Sequence, residues 1–183
     1  MDDADSRHRF ETMYRQTYEQ ILGYAMRRCS SPEDAVDAVA ETYLIMWRRL
    51  AELPHGEAGR LWLYGVARRV LANHRRGERR RATRHAELTA EAEVLYALPS
   101  PQTGPDEVGE AMDLLSDDDR ELLALAIWEE LDPGEIAVVL GCSRNAARIR
   151  LYRARKRFAK ALEKTRPSVT RLEARPLVEG ESR

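Results

Sequence analysis

Residues 142–160 carry eight arginines and lysines and no acid. Within this block Ala147, Leu151, Ala154 and Phe158 recur at i, i+4, i+7 and i+11, the spacing of one helix face. Arg144, Asn145, Arg148, Tyr152, Arg153, Arg155 and Lys156 fall on the other faces. Guanidinium forks so placed match guanine O6 and N7 or neutralise phosphates. A second basic block, residues 60–85, holds nine arginines against the single acid Glu78, with Trp62 and Tyr64 interleaved. Aromatics stack unpaired bases while arginines follow a backbone; a core tryptophan beside solvated arginines would give the same pattern. Between the blocks, residues 86–135 hold fifteen Asp and Glu and one arginine, Arg120. A basic–acidic–basic order hidden under a net charge of −1 suggests two separate contacts with one polyanion.

Other chemistry finds little support. His8, His55, His74 and His85 stand at no spacing that suggests a metal site or a catalytic triad. There is no phosphate-binding glycine loop. Cys29 and Cys142 have no paired partner spacing, so two small buried or half-buried thiols are favoured over a redox switch. Catalysis, a metal and a cofactor are therefore not expected. The longest apolar run, Leu122–Trp128, is far short of the roughly 18 residues of a membrane span. The start, MDDADSRHRF, is unlike a secretory signal, and a cytoplasmic protein is expected.

The elements that must position these side chains are helical throughout. Phe10, Tyr14, Tyr18, Ile21, Leu22 and Ala25 recur at steps of three and four. So do Val36, Val39, Tyr43, Leu44, Trp47 and Leu50, and then Leu63, Val66, Ala67, Val70 and Leu71. The stripe Val36, Val39, Tyr43 and Trp47 is expected in a core, with Asp37, Glu41, Leu44 and Arg48 on the exposed side. Ser31-Pro32, Ser116 and Asp132-Pro133 mark helix starts, each with an acid three residues after the cap. Ile136, Ala137 and Leu140 form a short apolar face, Gly141 supplies a left-handed turn and Ser143 caps the basic helix that follows. Short helix, glycine turn and longer basic helix read as a helix-turn-helix. The stretch ALPSPQTGPD, residues 97–106, breaks any helix. The expected class is all-α: two small helical domains, 8–77 and 106–165, a flexible linker, 78–105, and a mobile tail, 166–183.

Three segments in this order resemble the extracytoplasmic-function (ECF) sigma factors of bacterial RNA polymerase. DAVDAVAETYLIMWRRL (34–50) resembles that family's polymerase-binding helix, residues 62–76 its promoter-melting helix and residues 115–160 its C-terminal domain. The resemblance implies sigma region two, which binds the clamp helices of RNA polymerase core and opens the −10 element. It also implies sigma region four, which binds the polymerase flap and reads the −35 element. Polymerase binding then falls to Asp37, Glu41, Leu44 and Arg48. Contacts at −10 fall to Trp62, Arg68, Arg69, Asn73, Arg75 and Arg76, and −35 recognition to Arg144, Asn145, Arg148, Ile149, Tyr152 and Arg153. Promoter DNA and RNA polymerase core are the implied partners, an anti-sigma factor a plausible third, and no membrane is involved. Three positions depart from the family pattern: Ala40 replaces the frequent Gln, Arg69 the frequent base-capturing Asn, and SRNAAR the commoner start of the recognition helix. The rival is an autonomous helix-turn-helix regulator that binds duplex DNA as a dimer. It would need neither the 34–50 surface nor a second basic block.

Overall fold

The computed structural model describes residues 3–89 and 107–165. Among these residues the chain forms seven α-helices, one 3-10 turn and no strand. The helices are α1 (Asp3–Met26), α2 (Pro32–Arg48), α3 (Glu57–Thr89), α4 (Glu107–Asp113), α5 (Asp117–Ile127), α6 (Pro133–Leu140) and α7 (Arg144–Thr165), with the 3-10 turn Leu50–Glu52 after α2. Helices α1, α2 and α3 pack pairwise into one bundle, and α4, α5 and α6 each pack on α7 to make a second. One boundary differs from expectation: α3 runs on to Thr89 instead of stopping near Gly77. Residues 78–89, ERRRATRHAELT, contain no proline or glycine to end it. The remainder of the expected linker and the tail lie outside the described residues.

The helix starts form as the sequence chemistry dictates. The Ser31 hydroxyl accepts from the Asp34 N–H at 3.1 Å and that of Ser116 from the Asp119 N–H at 3.2 Å. Asp132 and Glu135 form a reciprocal capping box, each side chain accepting from the other's backbone N–H. The Asp132 carboxylate accepts from the Gly134 N–H as well, and the two amide bonds from Glu135 and Gly134 hold it below its ordinary pKa. Gly141 ends α6 at φ 65°, which costs a glycine little. Gly59 is required by space instead, because a Cβ there would lie 2.6 Å from the Pro54 carbonyl oxygen and 2.7 Å from the Met13 methyl.

In the first bundle Ile21, Tyr24, Met46, Leu63, Tyr64 and Leu71 are fully buried. Complete burial of a side chain of this size contributes about 1.5–3 kcal/mol each, before entropy. The Thr17 hydroxyl lies 2.7 Å from the Met13 carbonyl and 2.9 Å from the Tyr43 hydroxyl, so these two buried hydroxyls are satisfied. Arg9 donates to the carbonyls of Leu50 and Leu53, tying α1 to the chain end of α2.

The expected stripe of α2 is half wrong. Val39 and Tyr43 are buried, but Val36 is 53% and Trp47 41% exposed. The inward row consists of Ala35, Ala38, Val39, Thr42, Tyr43 and Met46. Its small members let α1 and α3 approach closely, while Trp47, the bulkiest side chain on the helix, points outward.

The two bundles do not stand apart. Their buried residues form one continuous cluster, and α3 packs directly against α6. A Cβ on Gly65 of α3 would sit 3.4 Å from the Val139 carbonyl oxygen of α6.

Candidate nucleic-acid and protein interfaces

Helix α7 is held by its inner row. Ala147, Leu151, Ala154 and Ala161 are buried, and Arg157 clamps α5 through both Asp119 oxygens at 2.8 and 2.9 Å. Ser143 caps the helix by accepting from the Ala146 N–H at 3.2 Å. All six residues expected to read duplex DNA, Arg144, Asn145, Arg148, Ile149, Tyr152 and Arg153, are exposed. Asn145 accepts from Arg148 at 3.1 Å, which pre-orients that guanidinium, and the Lys156 ammonium lies 5.0 Å from the Tyr152 ring centre. Arg153 sits at the flank of this face, where it lines a cavity together with Arg68, Arg150 and Arg157.

Helix α3 divides the second expected set between two faces. Arg69, Asn73 and Arg76 are exposed, with Asn73 accepting from Arg76 at 2.8 Å. Trp62 is half-buried on the same side of the helix, with the Arg49 guanidinium 5.6 Å from its ring. Arg68 and Arg75 are half-buried and line cavities shared with the second bundle. Tyr64, the other aromatic of the block, is core: it is 1% exposed and burial pushes its hydroxyl up to about 12.

On α2, Asp37, Glu41, Leu44 and Arg48 are exposed at steps of three and four and so share one face. Val36 and Trp47 flank them, Trp47 braced edge-on against Phe10 at 5.3 Å. Glu41 also meets His74 of α3 at 3.0 Å, which gives the histidine a place that its spacing did not suggest. Three exposed apolar side chains amid mixed charge suit a protein partner better than a polyanion.

The sigma-70 region 2 family model matches residues 13–81, and the sigma-70 region 4 model matches residues 106–158. The chain belongs to the sigma-70 family, in its extracytoplasmic-function group. Among its relatives, RNA polymerase sigma factor YlaC of Bacillus subtilis (strain 168) is 29% identical over 165 residues, 87% of this chain and 95% of the relative. RNA polymerase sigma-H factor of Pseudomonas aeruginosa is also 29% identical, over 84% of this chain and 86% of its own. Two solved structures share the fold. The sigma factor RpoE of Bartonella quintana, in complex with the anti-sigma factor NepR, superposes with a TM-score of 0.57 at 21% identity, covering 86% of this chain and 98% of that one. CnrH, in complex with the cytosolic domain of CnrY, gives 0.58 at 20% identity, covering 85% and 88%.

A sigma factor binds RNA polymerase core and directs it to promoters, and this chain is such an initiation factor. The match to region 2 disfavours an autonomous helix-turn-helix regulator, which needs no such domain. Region two of the factor is thus α1–α3 and region four α4–α7, and their seam is what sequence reasoning missed. Tyr24 donates to Glu121 at 2.6 Å, and Arg28 meets Glu121 at 2.9 Å and Glu129 at 3.3 Å. Arg27 reaches both Glu129 oxygens at 2.9 Å, and Tyr64 lies 3.4 Å from the same carboxylate. Burial alone would lower the Arg28 pKa, but Tyr24, Glu121 and Glu129 hold it above its ordinary value. Burial, then Glu121, raises the Tyr24 hydroxyl well above its own.

Proposed function

We propose that the three outward faces divide the work of initiation. The α2 face of Asp37, Glu41, Leu44 and Arg48, widened by Val36 and Trp47, docks on the polymerase clamp helices. On α7, Arg144, Asn145, Arg148, Ile149, Tyr152 and Arg153 read the −35 element, with Arg148 as the leading base contact. On α3, Trp62, Arg69, Asn73 and Arg76 hold the opened −10 strand; Arg68 and Arg75 join them only when region four moves away. The observation that carries this reading is the exposed cationic face of α7 behind a capped, glycine-turned helix pair, inside a chain that also carries region 2. Arginine at 69 only donates hydrogen bonds, so it favours an acceptor-rich base edge or a phosphate.

The factor acts in the cytoplasm, makes no bond itself and needs no metal or cofactor of its own. Among the described residues no helix is long and apolar enough to cross a membrane. The complex of its structural neighbour RpoE with the anti-sigma factor NepR supports an anti-sigma partner here too.

The test is reconstitution. The chain should pull down core polymerase and give promoter-specific transcripts with permanganate-reactive thymines at −10. Arg69→Ala should reduce that reactivity severalfold at full promoter occupancy. A chain that shifts promoter duplex alone but does not bind core would return the reading to a helix-turn-helix regulator.

A further inference from the structure

We propose that the cavity between α3, α5 and α7 is a binding site for a diphosphate group, free or carried by a nucleotide.

Helix α7 carries two cationic rows. Arg144, Arg148 and Tyr152 follow one another at steps of four on its outward face. Arg150, Arg153 and Arg157 stand at steps of three and four on another face, and that row is turned toward α5 and region two. There these three guanidinium groups meet Arg68 of α3 around one cavity of about 390 Å³. Leu122 and Leu140 form its apolar wall. A volume of this size falls within the range of small-ligand pockets, about 300–1,000 Å³.

The charges in the cavity do not balance. Asp118, Asp119 and Glu121 also line it. Both Asp119 oxygens are taken by Arg157, at 2.8 and 2.9 Å. Glu121 accepts from Tyr24 at 2.6 Å and from Arg28 at 2.9 Å. Asp118 is the remaining acid of the lining, and it is exposed. Arg68, Arg150 and Arg153 have no hydrogen-bond or ion-pair partner among the described residues. Three unpaired guanidinium groups thus face one solvated carboxylate, and positive charge is left over. Like charges gathered in a partly enclosed space repel one another, and an anion that enters removes that cost.

The same groups narrow the choice of anion. A carboxylate brings one negative charge and two oxygens, too few for three forks arriving from two helices. Each guanidinium fork matches two oxygens of a phosphate, which a point charge such as lysine does not, and all the cations of this lining are arginines. A diphosphate brings two phosphate groups and more than one negative charge at neutral pH. Arg150 and Arg153 can then hold one phosphate from α7 while Arg68 holds the other from α3. The apolar wall keeps water from one side and so strengthens each contact.

The test is a calorimetric titration of the full chain, without polymerase or DNA, in magnesium-free buffer at fixed ionic strength. Inorganic pyrophosphate should saturate at one site per chain, with orthophosphate and acetate bound about tenfold more weakly or worse. Arg68→Ala and Arg153→Ala should each lower pyrophosphate affinity about tenfold, the loss of one charge-assisted contact. Arg144→Ala with Arg148→Ala removes at least as much charge from the other row of the same helix, and should leave that affinity within about twofold of the parent. Arg153 is exposed, so its replacement should leave the fold in place, and a thermal melt of every variant checks this. ADP and ATP, titrated in the same way, distinguish the carrier: affinity equal to that of pyrophosphate or higher makes it a nucleotide, and lower affinity makes it the free ion. Absence of a saturable heat overturns the site. So does a loss in the Arg144/Arg148 variant as large as that in Arg153→Ala, because α7 would then attract anions as any DNA-binding face does. Unchanged affinity in Arg68→Ala overturns it too, because the cavity would then play no part.

Discussion

Helices α2 and α7 each bury one row in which small side chains alternate with larger ones and turn the other outward, but the outward rows differ in kind. On α2 the exposed row mixes Val36, Leu44 and Trp47 with Asp37, Glu41 and Arg48. On α7 it is arginine and lysine, with Ile149 and Tyr152 the large apolar members. An exposed apolar group gains most from a desolvated protein partner, whereas an array of guanidinium groups gains from phosphate and counterion release. The same helical architecture therefore serves two partners, and side-chain chemistry alone separates them. The seam is a third case: there the charges are turned inward and paired across the two regions.

The sharpest way to break this contrast is to truncate the apolar members of α2. Leu44→Ala with Trp47→Ala should weaken core-polymerase binding by about 2 kcal/mol or more, roughly thirtyfold. Asp37→Arg with Glu41→Arg should also weaken it, by less, without unfolding the bundle, because both acids are exposed. Binding measured across a salt series checks both. If the charge reversal costs more than the truncation and the loss tracks ionic strength, α2 is an electrostatic surface like α7 and the contrast is gone.

On α7 the expected loss is smaller and depends on sequence. Arg148→Ala should cost about 1–3 kcal/mol and relax preference at one base pair of the −35 element. Arg155→Ala should weaken all promoter variants alike and lower the salt slope by about 0.9. A promoter-variant binding series with both substitutions separates the roles. Uniform loss with Arg148→Ala would make it a backbone contact.

What could be read from the sequence was local. Helix caps at Ser31, Ser116 and Asp132, the turn at Gly141 and the inner row of α7 all depend on residues within four positions of one another. The α2 face misled because periodicity assigns large apolar residues inward; in α2 the small residues Ala35, Ala38 and Thr42 take inner places beside Val39, Tyr43 and Met46. The seam was illegible because its partners stand 97 residues apart for Tyr24 and Glu121 and 102 for Arg27 and Glu129. In the sequence those glutamates were two of the fifteen acids between the two basic blocks, with nothing to mark them out. Its charge pattern pointed outward to a polyanion, whereas Asp119, Glu121 and Glu129 spend their charge on arginines of the same chain. The division of the α3 set follows from the same cause, since Arg68 and Arg75 face a region whose position no local pattern encodes.

The smallest expected effect concerns pH and separates the two regions once more. Burial pushes the hydroxyls of Tyr43 and Tyr64, both in region two, up to about 12. A raised folded pKa gives a contribution that is complete below the ordinary value near 10 and lost as pH rises from there through about 12. Asp132, which caps α6 in region four, is shifted the other way by the Glu135 and Gly134 amides. Its contribution is present above the ordinary value of 3.8 and is lost as pH falls below that through its depressed folded value. Region two should therefore be the first to loosen in alkali, and the start of α6 the first to fray in acid. The share of the tyrosinate absorbance that is lost in Tyr43→Phe and in Tyr64→Phe should rise late, near pH 12, together with loss of helix, and Tyr43→Phe should make the alkaline fall shallower. Amide shifts of Gly134 and Glu135 should move with one another as acid is added. In Asp132→Asn the capping oxygen remains but the proton-binding group is gone, so that acid transition should disappear. A Tyr43 or Tyr64 share of the absorbance that rises near pH 10 without loss of helix would mean that the aromatic core of region two admits water, and would remove the alkaline half of the contrast.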